Sequence, residues 1–274
     1  MFMPELPEVE TVKETLKKQI LGEVIQKVDV YYDKIIIEPT CTLFQKRVIG
    51  QTVKDIKRRG KWLLFILNED ILLSHLRMEG RYYLKSEEEV PTKHVHVVFH
   101  FASGKALWYC DTRKFGRMYL YHQEEVMQKK PLCDLGLEPW DESLTPSYLK
   151  EKLKRKTIPI KTALLDQTIV VGCGNIYANE VLFLSKINPL KKANTLTNNE
   201  LEILIQNIRS VLEKAIHLGG TTIRSYESSE GVHGRFQNVL FIHEKETCPN
   251  CHAKTIKIFV GGRGTYYCPK CQKK

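Results

Sequence analysis

The 274-residue chain has no run of eighteen apolar residues, so nothing in it reads as a helix that crosses a bilayer. Its beginning lacks a basic segment followed by an apolar stretch, which excludes a secretory signal there and leaves a soluble, cytoplasmic protein as the expectation. No internal repeat and no low-complexity tract occurs, which excludes repeat arrays and compositionally biased segments. Negative charge is in deficit: 32 Asp and Glu stand against 42 Lys and Arg, a net charge of +10. That balance favours a polyanionic partner, nucleic acid or an acidic membrane surface, although many basic proteins bind neither. An aromatic-rich single-strand platform is also missing, which counts against an RNA-binding zinc-ribbon protein.

The length suits roughly two domains with room for a small third module. After Pro7 the apolar positions Val9, Val12, Leu16 and Ile20 share one helical face, with Lys13, Glu14, Lys17 and Lys18 on the other. Strand-like runs follow at residues 24–32, 53–67, 71–78, 95–101 and 106–121, with turn signals at Asn68-Glu69-Asp70 and Ser103-Gly104. They predict a β-sandwich or barrel preceded by one helix. Prolines 131, 139 and 146 among charges mark an interdomain connection over residues 123–146. Helical periodicity then takes over, with short helices expected at 148–156, 161–167 and 175–186. A longer helix is expected from the N-cap Thr197, with Glu200 three residues on, to the stop at Gly219 and Gly220.

Four of the eight cysteines are clustered: Cys248 and Cys251, then Cys268 and Cys271, the CxxC…CxxC spacing of a zinc ribbon. Two disulfides or accidental pairing are the alternatives. Residues 256–260 and 265–267 read as strands joined by Gly261-Gly262-Arg263-Gly264, so a metal would tie the base of a hairpin that has almost no core of its own. Four thiolates leave no position for water, which makes one structural zinc ion the expectation, with no organic cofactor. Cys41, Cys110, Cys133 and Cys173 show no such spacing and read as ordinary thiols.

Gly172-Cys173-Gly174-Asn175 opens a helix, where unpaired backbone N–H groups and the helix dipole attract phosphate; a tight turn between packed helices is the plainer reading. With Pro4-Glu5-Leu6-Pro7-Glu8-Val9-Glu10 at the start, this segment resembles the formamidopyrimidine-DNA glycosylase family. Also similar, and in the family's order, are Arg59-Gly60-Lys61, His75-Leu76-Arg77-Met78-Glu79-Gly80, Lys93-His94-Val95-His96, Asp111-Thr112-Arg113-Lys114-Phe115-Gly116, Leu164-Leu165-Asp166-Gln167 and the terminal cysteine hairpin. The resemblance spans nearly the whole chain. It implies an α+β, multidomain fold: an N-terminal catalytic β-sandwich over residues 4–134, a helix-two-turns-helix domain over 135–246 and a four-cysteine zinc finger over 247–274.

The activity implied is that of a bacterial, monomeric glycosylase and lyase that works on double-stranded DNA containing an oxidised purine or an abasic site. The amine of Pro4 would attack the anomeric carbon and displace the base, with Glu5 the acid or base for opening the sugar ring and Glu8 a positioning group. Lys61 and Arg263 would serve the two phosphate eliminations. His94, Arg113, Lys156, Lys161 and Asn175 correspond to phosphate holders, and Met78, Arg113 and Phe115 to the trio that enters the gap left by a flipped base. From residue type alone Met78 and Phe115 would be core residues. The loop at 225–237 is expected to cover the flipped base, its Ser, Glu, Gly and His content suiting a polar lid or, equally, a plain surface loop.

This sequence departs from the family pattern in carrying Met1 and Phe2 before Met3. A proline nitrogen inside an amide has no nucleophilic lone pair, so the expectation is that translation starts at Met3 or that processing exposes Pro4. Smaller departures are Cys173, Asn179 and His243-Glu244-Lys245-Glu246. Two rival readings remain: an endonuclease VIII-like glycosylase for oxidised pyrimidines, against which Leu6 and the Met78, Arg113, Phe115 trio speak, and a zinc-dependent protein that binds damaged DNA without cutting it.

Overall fold

A computed structural model describes residues 4–221 and 234–273. Most of the proposed lid at 225–237 therefore lies outside the described residues. The chain divides into two compact units, one containing Pro4 and residues 8–133, the other residues 5–7, 134–221 and 234–273.

Helix α1 (Leu6–Ile20) belongs to the first unit from Glu8 onward, and its Val9, Val12, Leu16 and Ile20 are buried as their spacing requires. Glu8 in its first turn and Lys17 and Lys18 in its last oppose the helix dipole. Nine strands follow: β1 (Ile25–Val30), β2 (Ile36–Glu38), β3 (Asp55–Arg59), β4 (Trp62–Ile66), β5 (Asp70–His75), β6 (Arg81–Ser86), β7 (Val95–Phe101), β8 (Lys105–Cys110) and β9 (Arg117–His122). A short helix α2 (Cys41–Val48) stands between β2 and β3. The strands form a four-stranded sheet of order β1-β7-β8-β6 and a five-stranded sheet of order β2-β9-β5-β4-β3. Val97, Phe99 and Phe101 of β7 share a core with Leu63 and Phe65 of β4, Leu72 of β5 and the apolar face of α1. This is the expected sandwich.

In this unit the structure differs from the sequence reading at five places. The run 53–67 is two strands, because Gly60-Lys61 is a turn between paired Arg59 and Trp62. The run 106–121 is also two strands, separated by the loop at 111–116. Helix α2 and strands β2 and β6 gave too short or too polar a pattern to register. β2 runs parallel to β9 and adds an edge.

The second unit is helical, with α3 (Pro146–Leu153), α4 (Ile160–Leu164), α5 (Asn175–Leu184) and α6 (Asn198–His217). Between α4 and α5 lie two turns, one closed by Ile169 N–H donating to Asp166 O at 3.1 Å and one at Gly172, where φ is +100°. The capping box of α6 is formed, Thr197 and Glu200 exchanging hydrogen bonds. The same helix stops in a Schellman turn, Gly220 N–H to Ala215 O at 2.8 Å and Gly219 N–H to Ile216 O at 3.0 Å, both glycines at positive φ. The cysteine hairpin, β10 (Ile256–Val260) and β11 (Arg263–Tyr267), belongs to this unit. Arg263 begins β11 and pairs with Val260, so the connection is the two-residue turn Gly261-Gly262, not four residues.

Candidate active site and nucleic-acid interface

The segment 5–7 belongs to the helical unit. Glu5 is buried there, and its carboxylate accepts the Gly174 N–H at 2.6 Å and the Ile176 N–H at 3.0 Å. These are N-terminal donors of α5 that the sequence reading offered to phosphate; the protein's own carboxylate holds them instead. The two glycines before the helix are explained by the same packing. A methyl group on Gly174 would overlap the Glu5 carboxylate, and one on Gly172 would overlap the Leu6 side chain.

In the sandwich unit, Lys61 is buried in the β3–β4 turn, with Trp62 beside it packed edge-on to the His75 ring at 4.7 Å. Burial, and then the positive charges of Arg77 and Lys61, push His75 down to about 3, so its ring is neutral. Its Nδ1 accepts the Arg77 N–H at 3.0 Å, which begins the turn that carries Met78. Met78 is half-buried. Arg113 and Phe115 are exposed, the guanidinium lying 4.6 Å from the ring centroid, and Phe115 is 47 % exposed. Phe115 is thus not a core residue. His94, half-buried, precedes β7 and accepts the Asp111 N–H on its carbonyl at 3.0 Å.

The helical unit holds the rest. Half-buried Lys156 donates to Asp166 at 3.0 Å, next to Lys152, Lys154 and Arg155. Asn175 is the first residue of α5, and its buried Oδ1 has no hydrogen-bond partner. Lys161 departs from expectation. It is fully buried, with Nζ bonded to Asn179 Oδ1 at 2.6 Å, Thr265 Oγ1 at 2.8 Å and Gly264 O at 3.1 Å. All three ammonium donors are engaged, so Lys161 fastens α4 to α5 and β11 instead of presenting a charge to phosphate. Burial pushes its ammonium down to about 7, against the pull of the Glu5 carboxylate. Arg263, one residue before Gly264, is exposed.

Two of the small departures from the family pattern meet in this cluster: Asn179 Nδ2 and His243 Nδ1 lie 2.6 Å apart. Burial, then Lys161 and Lys257, push His243 down to about 4, so its neutral ring accepts from the amide.

Cys248, Cys251, Cys268 and Cys271 bring their sulfurs within 4.8 Å of one another, with Sγ–Sγ distances of 3.8 Å (248 to 271) and 3.4 Å (251 to 268). A tetrahedral zinc with bonds of about 2.3 Å sets its sulfurs about 3.8 Å apart, so this donor set fits the ion. Cys41, Cys110, Cys133 and Cys173 lie outside the cluster.

Three family models match the chain: the formamidopyrimidine-DNA glycosylase N-terminal domain at residues 3–118, the H2TH domain of the same family at 135–227, and the zinc finger found in FPG and IleRS at 245–274. The chain belongs to the formamidopyrimidine-DNA glycosylase family. It is 46 % identical to the formamidopyrimidine-DNA glycosylase of Bacillus cereus (strain ATCC 10987 / NRS 248), over 99 % of this chain and 100 % of that one. The Lactococcus lactis Fpg in complex with abasic-site DNA is 41 % identical with a TM-score of 0.92, covering 99 % of this chain and 100 % of its own. The same values hold for a variant of that Fpg with DNA containing Fapy-dG. Among the described residues no helix is long and apolar enough to cross a membrane.

Within this family framework, sequence reasoning missed two buried carboxylates that hold loops. Asp111 accepts Arg113 N–H at 3.0 Å on one oxygen, and Phe115 N–H and Gly116 N–H at 2.8 Å each on the other. An aspartate opening a short loop that ends in glycine is the signal that could have found it. Glu180 accepts the N–H groups of Phe241, Ile242 and His243 at 2.6, 3.1 and 2.8 Å, and burial raises its pKa. Its signal is a lone charge on a helix that is otherwise buried all round.

Proposed function

We propose that this DNA glycosylase of base excision repair removes oxidised purines, 8-oxoguanine and formamidopyrimidines, from duplex DNA and then cuts the strand, with the Pro4 amine as nucleophile. The observation that carries the reading is the Glu5 carboxylate seated on the Gly174 and Ile176 N–H groups, which ties the PELPE segment to the GCGNIYANE segment. A catalytic N-terminal segment has to be held rigidly, and these bonds to Glu5 support that reading.

The amine nitrogen attacks the anomeric carbon, and the base leaves with the electrons of the glycosidic bond. Loss of the amine proton and opening of the sugar ring leave a cationic iminium, an electron sink that acidifies the adjacent sugar proton. Elimination of the 3′ phosphate and then the 5′ phosphate follows. Glu5 exchanges the proton at the ring oxygen, Lys61 serves the first elimination, and Arg263 on the hairpin serves the second as a permanent cation. His94, Arg113, Lys156 and Asn175 hold phosphates, and the buried Lys161 acts through the hairpin it fastens. Met78, Arg113 and Phe115 fill the gap left by the flipped base; the exposure of Phe115 and its stack with Arg113 support this.

The work divides among residues 4–134, 135–246 and 247–274, with one structural zinc on Cys248, Cys251, Cys268 and Cys271 and no organic cofactor. The protein acts as a monomer in the bacterial cytoplasm, on nucleoid DNA. The test is borohydride trapping on a duplex with one 8-oxoguanine opposite cytosine, beside an intact mass of the same preparation. A covalent adduct from protein that begins at Pro4 is expected. Full activity in protein that retains Met1 would overturn the mechanism, and salt-sensitive binding without an adduct from a Pro4 terminus would leave a damage-binding protein.

A further inference from the structure

The loops that carry Met78 and Arg113-Phe115 are both bent against backbone preference. Arg77 (φ 54°) and Lys114 (φ 57°) sit in the left-handed region that side chains other than glycine rarely occupy. Each strained residue adjoins a residue of the gap-filling trio. Such bends persist only where the surroundings over-determine them, and each loop has its own brace. Gly80 N–H donates to Leu76 O at 2.9 Å across the first, and Asp111 gathers three N–H groups in the second.

A single side chain meets both loops. Tyr109, on β8, is fully buried, and its ring packs against Tyr82 with centroids 5.2 Å apart. A methyl group on Gly80 or on Gly116 would overlap the Tyr109 hydroxyl oxygen, so both loops close on that one atom. The two phenols otherwise differ. The Tyr82 hydroxyl donates to Ser74 Oγ at 2.7 Å, whereas the Tyr109 hydroxyl is buried with no hydrogen-bond partner. A buried hydroxyl without a partner destabilises the fold, and phenylalanine would fill most of the same space without that cost.

We propose that Tyr109 is the positioning residue that sets the separation of the Met78 loop and the Arg113-Phe115 loop, with its hydroxyl oxygen wedged between Gly80 and Gly116. This rests on the reading of Met78, Arg113 and Phe115 as the residues that enter the duplex. Tyr109 touches no substrate; it determines whether the two halves of the wedge arrive together.

The test is Tyr109→Phe in the full chain, read by base-eversion kinetics with 2-aminopurine beside an 8-oxoguanine, by the KM and kcat of excision, and by trapping at a preformed abasic site. The variant is expected to melt no lower than the parent. Eversion and kcat are expected to fall about tenfold with KM changed less than twofold, and trapping at the abasic site, where no base has to leave the stack, by less than twofold. Gly116→Ala, which crowds the same oxygen from the other side, is expected to slow eversion without altering the phenol. Met78→Ala tests the underlying reading separately. Slow eversion in Met78→Ala with parental eversion in both Tyr109→Phe and Gly116→Ala would overturn the role of Tyr109 alone. Parental eversion in Met78→Ala would overturn the wedge reading and this inference with it.

Discussion

Replacing Gly174 with alanine tests the arrangement on which the proposed chemistry depends. The backbone there, φ −121° and ψ −156°, is extended and open to alanine, so backbone strain is not the issue. The new methyl group would occupy the place of the Glu5 carboxylate, which must leave the Gly174 and Ile176 N–H groups. Each is a hydrogen bond to a charged group, with a net contribution of about 1.5 kcal/mol at the low end, so expulsion costs about 3 kcal/mol. If that cost falls wholly on the catalytic arrangement, it corresponds to roughly two decades in rate. Single-turnover trapping on an abasic-site duplex is therefore expected to slow by as much as about a hundredfold, with any remainder of the about 3 kcal/mol lost from urea-unfolding stability. Trapping and stability both within twofold of the parent would refute the placement of Glu5 on the helix.

Lys161 predicts a pH dependence of stability. Folding pushes its ammonium from 10.5 down to about 7, so between those values the unfolded chain binds a proton that the folded chain does not. Its contribution therefore makes stability rise with pH from about 7 to 10, by at most about 1.4 kcal/mol per pH unit, while below 7 the penalty is constant. Lys161→Met removes that slope in urea titrations across the window; parental and variant curves of equal slope would contradict the burial argument. The cysteine cluster predicts that a strong chelator unfolds the hairpin and abolishes strand cleavage, and that stoichiometric zinc restores both. Atomic absorption that finds no metal in active protein would count against the structural zinc.

Elements with strong local signals were legible: the apolar face of α1, the alternation of β7, and the α6 capping box with its paired glycine stop. Their physics is local, a period or a cap within one segment. Strands β3 and β4 merged in the sequence reading because a two-residue turn interrupts apolar patterning without a proline. Strand β2 was illegible because its three residues owe their conformation to pairing with β9. The candidate site divides in the same way. The cysteine spacing announced its chemistry, and the ordered motifs pointed to the family.

Burial and partnership were the things no motif could carry. Lys161 reads as one more cation in a basic chain, yet three protein acceptors surround it. Asp111 looks like a loop residue and Tyr109 like a strand aromatic, yet the first gathers three N–H groups of its own loop and the hydroxyl of the second lies against the glycines of two loops. Residue type and spacing determined the fold class, the four-cysteine cluster and the family. Only the tertiary structure decided which polar groups face solvent and which are held by the protein, because partners such as Glu5 and Gly174, or Lys161 and Thr265, lie far apart in sequence and chain packing alone brings them within reach.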